Sequence, residues 1–293
     1  MTDQESAAGD APATPVAVAT VADVTAAVER LWPSVGAEPW DAVGLVVGDP
    51  AAPVRRIMLA VDAVLDTVDD AIAARADLLL VHHPLLLRGV TSVAEDRAKG
   101  AIVARLIRSG CALLAAHTNA DIVATGTSAV LADRLGLVGA APIDSRGDST
   151  VGIGRVGDLA EPLTLGSLAS RLVDLLPDTA TGVRVAGDAD RPIRRVAICA
   201  GAGDAYLAYP AVVGADVFIT ADLRHHPSSE AVESARVAGG PALIDVSHWA
   251  SEWVWLDVAA LELSAALPGV EVSVSDLRTD PWDFVVTSVA RRS

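Results

Sequence analysis

Residues 48–56 read GDPAAPVRR and residues 187–195 read GDADRPIRR, so Gly-Asp, a proline and an Arg-Arg pair recur 139 positions apart. The flanks agree with this register. TVADVTAAVERLWP (20–33) resembles TLGSLASRLVDLLP (164–177), each an amphipathic helix pattern that ends at a proline. RRIMLAVDA (55–63) matches RRVAICAGA (194–202), each an apolar strand. Further on, ADLLLVHHP (76–84) has its parallel in ADVFITADLRHHP (215–227), and ALLAAHTNAD (112–121) in ALIDVSHWASE (242–252). Four matched stretches in one order predict two similar tandem α/β domains, residues 17–145 and 146–293, facing a central metal-binding cleft. Residues 1–16, rich in acids and prolines, are expected to form a disordered tail. A period this long excludes a solenoid.

A core for such a fold is available. Hydrophobic residues make up 52% of the 293, yet aromatics only 3%, so Ala and Val must fill the interior by close packing. No run reaches the ~18 apolar residues of a membrane span; Leu78 to Val90 is interrupted by His82, His83, Pro84 and Arg88. The N-terminus lacks the basic-then-apolar pattern of an export signal, which leaves the cytoplasm as the expected location. A formal net charge of −16 argues against nucleic acid as a partner, and makes an anionic substrate awkward unless a local cation receives it. Cys111 and Cys199 sit in apolar strand-like runs and read as buried thiols.

The chain has six histidines, at positions 82, 83, 117, 225, 226 and 248, and each lies at or just beyond the end of a predicted strand. That edge is where open α/β sheets bind ligands. Adjacent imidazoles seldom chelate one ion, but His82 and His83 can serve two neighbouring ions, one each. Pro84 biases His83 toward an extended backbone, where strict strand alternation can relax. His248 and Glu252 stand at i, i+4 behind a possible N-cap, Ser247, so a helix there turns both to one side. A glutamate so placed can bridge two cations ~3.5–4 Å apart.

His117-Thr-Asn-Ala-Asp121 is the first-half counterpart, with Asp121 as a terminal carboxylate ligand. Asn119 favours a turn there, so its helical geometry is less firmly set. His117 is open to ligation, to orienting a ligand, or to proton transfer. His225 and His226 are expected in the cleft wall, His226 toward substrate. Three His and two carboxylates suit Zn, Mn, Fe or Ni over Ca or Mg. A water shared by two such ions ionises near neutral pH, which is the chemistry of a metal-dependent hydrolase. Gly201-Ala-Gly203-Asp204 reads as a strand-to-helix turn with a weaker claim to phosphate binding. Asp41 either lines the site or caps a turn.

WDAVGLVVGD (40–49), VHHP (81–84), AAHTNAD (115–121) and DVSHWASE (245–252) together resemble the GTP cyclohydrolase I type 2 homologues, the NIF-three-like dinuclear-metal proteins. The likeness runs from about residue 18 to 290. It implies metal ligands at His82, His83, Asp121, His248 and Glu252, two divalent ions per subunit, and assembly into a ring-shaped homohexamer. The family name implies a small-molecule substrate, GTP, whose imidazole ring is opened at C8 with release of formate; His117 or His226 would move protons. Metal-binding scaffolds without turnover, and hydrolases of other phosphoesters or amides, fit the same residues. The chain lacks the domain that some members insert between the halves. It carries Ala42 where Asn commonly follows Trp-Asp, and leucines after VHHP where the family has an aromatic residue.

Overall fold

Thr20 starts the first helix. Its hydroxyl accepts the Asp23 N–H at 3.2 Å while the Asp23 carboxylate accepts the Thr20 N–H at 2.8 Å, so two otherwise orphaned donors are satisfied reciprocally. Val21, Val24, Ala27 and Val28 then form the buried stripe of the helix Val21–Leu31. The helix Leu165–Leu175 begins in the same way, with the Thr164 hydroxyl accepting from Ser167 and Leu165, Leu168 and Leu172 buried. The computed structural model describes residues 18–147 and 149–287; the expected tail of residues 1–16 lies outside them.

The fold is mixed α/β with two main sheets. The first has five strands in the order Glu271–Val274, Arg56–Ala60, Leu78–Val81, Ala112–Ala115 and Gly44–Val47. Its first four are parallel and the last is antiparallel. LLLV (78–81) and ALLA (112–115) are buried throughout, as parallel strands covered on both faces require. The second sheet has six strands in the order Arg184–Ala186, Ala242–Val246, Val217–Ala221, Pro192–Ala202, Arg155–Thr164 and Leu137–Ala141. Its three central strands are parallel and its outer pairings antiparallel.

The sheets exchange edge strands across the expected boundary at 145/146. Leu137–Ala141 joins the second sheet, and Glu271–Val274 joins the first. A single apolar core spans both, with Leu80 and Leu114 from one sheet and Ile198 and Ile219 from the other. Trp32 and Trp255 meet edge to face within it, ring centroids 5.1 Å apart.

Matched sequence positions make matched contacts. The Asp77 carboxylate accepts the N–H groups of Arg55 and Arg56 at 2.7 and 2.9 Å. The Asp216 carboxylate accepts those of Arg194 and Arg195 at 2.8 Å each. Gly48 and Gly187, also 139 apart, lie so close to the next strand that a Cβ would come within 2.6 Å of Ala112 Cβ and 2.9 Å of Ala242 Cβ. Among the described residues no helix is long and apolar enough to cross a membrane.

Candidate metal centre

Ladder hydrogen bonds carry the strand Leu78–Val81 onward. The N–H groups of His82 and His83 donate to the carbonyls of Ala60 and Val61. Both rings nevertheless reach one spot, with centroids 5.0 Å apart, because the chain leaves the sheet at Pro84. His82 is fully buried. Its Nδ1 lies 3.0 Å from the Ala116 carbonyl, which can only accept, so Nδ1 carries a proton and Nε2 is the nitrogen left to face the centre. His83 is fixed likewise, with Nδ1 2.7 Å from Asp62 Oδ1.

The opposite wall comes from the second sheet. The strand Ala242–Val246 runs into the helix His248–Trp253, whose cap is Ser247: its hydroxyl accepts the Ala250 N–H at 3.2 Å. One helical turn then sets His248 Nε2 3.0 Å from Glu252 Oε1. His248 Nδ1 donates to Asp222 Oδ2 at 2.8 Å. Asp222 adopts φ 56°, a left-handed conformation that Asp tolerates better than most residues.

Glu252 stands among three imidazoles. Its Oε1 is 3.5 Å from His82 Nε2, and its Oε2 is 3.0 Å from His83 Nε2 without the alignment of a hydrogen bond. Asp121 ends the one-turn helix Thr118–Asp121. Its Oδ1 lies 3.7 Å from His82 Nε2 and accepts the Thr127 hydroxyl at 2.6 Å. His117, just before that turn, has Nδ1 2.8 Å from Asp41 Oδ1; Asp41 also accepts the N–H and hydroxyl of Thr118. Asp41 therefore lines the site from behind, as the support of His117.

Two sets of donors are close enough to hold a metal ion. Ligand atoms of His82, His83 and His117 lie within 4.8 Å of one another, as do those of His83, His248 and Glu252. The donor set fits a cation. His82 Nε2 and Glu252 Oε2 are buried with no hydrogen-bond partner, which is costly unless something positive lies between them. His83 Nε2 and His248 Nε2 face each other at 3.2 Å, although both Nδ1 atoms already carry the protons given to carboxylates. Mixed imidazole and carboxylate donors suit a transition metal. Carboxylate or carbonyl acceptors behind each imidazole are the usual way of fixing such ligands.

Charge follows the same pattern. Burial alone would push the two imidazoles down, but Glu252, helped by Asp62 or Asp222, outweighs it and raises His83 to about 10 and His248 to about 11. Burial likewise opposes ionisation of Glu252, yet the three imidazoles hold its carboxyl well below the usual carboxylate range. In metal-free protein the two histidines therefore stabilise the fold fully below their ordinary value of 6.5. That contribution is lost as pH rises toward 10–11. Metal must displace the same protons, so its affinity rises over the same window. Thermal melts from pH 6 to 9 should show the metal-free protein losing stability while the increment given by Zn²⁺ or Mn²⁺ grows. A metal increment that shrinks with pH would contradict this assignment.

The structure thus brings together His82, His83, His117, Asp121, His248 and Glu252. It brings neither His225 nor His226 into this cluster. Both are exposed in the first turn of the helix His225–Ala238, their rings edge to face with centroids 5.1 Å apart. His225 instead borders a neighbouring cavity, which shares Arg184 and Asp245 with the one beside His83 and His248. Cys111 and Cys199 are free and buried; burial pushes the Cys111 thiol up to about 11 and Cys199 higher still, so neither offers a thiolate.

Three supports went unread in the sequence: Asp62, Asp222 and Gly201. Both aspartates lie just past strand ends, in AVDA and TADL, which is the signal that would have found them. Gly201 lies at the end of the strand Pro192–Ala202 with φ +69°, pressed against the centre. A Cβ there would fall 2.3 Å from Glu252 Oε1 and 3.2 Å from His248 Nε2. Its N–H donates to Ser251 Oγ and its carbonyl accepts from Thr220 Oγ1, so the backbone has no room to retreat. The expected turn does follow, as a short 3₁₀ helix over Asp204–Tyr206.

A family model described as Duf34/NIF3 (NGG1p interacting factor 3) matches residues 19–281. A Streptomyces coelicolor protein named GTP cyclohydrolase 1 type 2 homolog is 44% identical over 280 residues, covering 93% of this chain and 97% of its own. A Mycobacterium tuberculosis protein of the same name is 34% identical, covering 90% and 97%. That alignment runs over 375 positions, so the relative carries an insertion which this chain lacks. Among solved structures, a Staphylococcus aureus hypothetical protein superimposes with a TM-score of 0.82 at 27% identity, over 91% of this chain and 99% of the other.

Proposed function

The chain belongs to the Duf34/NIF3 family, and on that premise we propose that it is a metal-dependent hydrolase of a small heterocyclic substrate. His82, His83, Asp121, His248 and Glu252 would hold two divalent cations of the Zn, Mn, Fe or Ni class. The observation that carries this reading is the pair of buried atoms that make no hydrogen bond, His82 Nε2 and Glu252 Oε2, within a ring of imidazoles already anchored from behind. Such ions, when bound, lower the pKa of water and neutralise negative charge that develops on the substrate.

The chain's own groups do the rest. Asp62 and Asp222 fix the tautomer and orientation of His83 and His248. His117, held by Asp41 and packed edge to face against the rings of His82 and His83, would move protons beside the ions. That placement favours His117 over the exposed His226 for moving a proton. The relatives' shared name points to GTP as one member of the substrate class. We also read residues 17–145 and 146–293 as copies of one unit facing a shared cleft. Support lies in the equivalent Asp77 and Asp216 contacts and in four site pairs, Asp62 and Gly201 and His83 and Asp222 at an offset of 139, His117 and His248 and Asp121 and Glu252 at 131. Homohexamer assembly belongs to the same reading.

The test is turnover. Metal-loaded protein is incubated with a panel running from nucleosides to GTP, and product and formate are measured. We expect turnover that falls at least ~100-fold in a His82→Ala/Glu252→Ala variant. Undiminished activity in that variant would contradict the reading. A metal-dependent rise in melting temperature with no turnover would favour a scaffold role, which the words "interacting factor" in the family description also suggest.

A further inference from the structure

Beside His83 and His248 opens a cavity of about 630 Å³. Its walls combine aromatic surface with an excess of acid. Trp249 lines its inner side, and the C-terminal segment brings Trp282 and Phe284, whose residues are 62% and 79% exposed. Asp62, Asp222, Asp245 and Asp280 face the same space, and Arg184 is the one arginine among the described residues that lines it. Arg184 is already spent: its Nε donates to Asp245 Oδ2 at 2.8 Å, and its second nitrogen to the same oxygen.

From this lining we propose that the cavity selects a planar heterocycle carrying neutral or positive substituents and discriminates against a polyphosphate. The proposal rests on the reading that the centre serves a small molecule and holds two divalent ions. Those ions and Arg184 are together outweighed, by about one charge, by Asp62, Asp121, Asp222, Asp245, Glu252 and Asp280. A triphosphate would add several more negative charges to a partly enclosed space, where like charges repel most strongly. No arginine or lysine among the described lining residues stands free to receive them. The aromatic surfaces supply what a neutral ring needs, a flat apolar face. Asp245 sets the sign at one end of the cavity. It sits between Arg184 and the Leu223 N–H, which donates to its Oδ1 at 2.9 Å, and so cancels the charge that would otherwise attract an anion.

Calorimetric titration of the metal-loaded protein with guanosine, GMP and GTP, at a buffered free-metal concentration, reads this directly. Affinity should fall along the series, by about tenfold or more from guanosine to GTP. Asp245→Asn keeps an acceptor for Leu223 and releases Arg184, so the gap should shrink several-fold; Arg184→Gln should widen it. Trp282→Ala should weaken all three alike, by about tenfold, since base stacking is blind to the phosphates. GTP binding as tightly as guanosine, or a gap unmoved by Asp245→Asn in a variant that melts like the wild type, overturns the charge selection and leaves the small-molecule reading standing. No saturable heat from any of the three overturns both.

Discussion

Glu252→Ala is expected to weaken metal binding by more than about 100-fold, the upper range seen when a mere supporting partner of a ligand is lost. Glu252 contacts three imidazoles with its two oxygens, at 3.0 to 3.5 Å, and is only 4% exposed. Without it His82, His83 and His248 lose the negative charge that lies among them. Burial then acts unopposed by that carboxylate and drives the ring values of His83 and His248 down from about 10 and 11. The melting temperature of Glu252→Ala should consequently lose both its response to added metal and much of its decline above pH 6.5. Glu252→Gln keeps the volume and removes the charge, so it should lose metal as well. Metal affinity within tenfold of wild type in both variants, measured by competition with a chelating dye, would refute the placement of Glu252.

Gly201→Ala should be nearly as damaging, although glycine has no chemistry of its own. Two effects add. A φ of +69° costs an L-residue about 1 kcal/mol or more. The new methyl would overlap Glu252 Oε1, whose carbon sits 3.3 Å from the same position. Relief requires the carboxylate to swing away from His82 and His248. We expect a stability loss of roughly 1–3 kcal/mol and a fall in metal affinity of at least about tenfold. Gly203→Ala is the control. Its Cβ would press on Cys199, Phe218 and the Thr220 hydroxyl that holds the Gly201 carbonyl, not on Glu252, so it should destabilise the fold with a smaller loss of metal affinity than Gly201→Ala. Equal metal affinity in Gly201→Ala and wild type would show that Glu252 is not held by this strand.

The contrast between those two glycines marks how far a sequence can be read. Local features were legible. Thr20 and Thr164 as caps, the buried stripes behind them, and His248 and Glu252 on one face behind Ser247 all follow from spacings of three or four residues. The five proposed ligands follow directly on three strands, Leu78–Val81 and Ala112–Ala115 of the first sheet and Ala242–Val246 of the second, so each lies within a few residues of a strand end that local pattern reveals. Features set by distant pairing were not legible. Asp62 reaches His83 across 21 residues, and Asp222 reaches His248 across 26. The strand Glu271–Val274 crosses to the first sheet to pair with Arg56–Ala60, which no local pattern announces.

His225 and His226 show how a repeat can mislead on placement. The sequence parallels VHHP with LRHHP, but the second stretch is four residues longer, 13 residues (215–227) against 9 (76–84). Leu78–Val81 passes directly into His82, whereas Val217–Ala221 is followed by Asp222, Leu223 and Arg224 before His225 begins a helix. Asp222, not a histidine, therefore stands 139 positions after His83, and it serves the centre by holding His248. Of these two equivalent positions the first carries an imidazole, His83, and the second a carboxylate, Asp222, that holds a different imidazole, His248.

Elemental analysis of protein purified without chelators is the most direct measurement. The proposed ligand set of His82, His83, Asp121, His248 and Glu252 predicts two divalent transition-metal ions per chain, lost together in the His82→Ala/Glu252→Ala variant. A wild-type protein that holds no such metal after incubation with Zn²⁺ and Mn²⁺, or a variant that holds as much as the wild type, would contradict it.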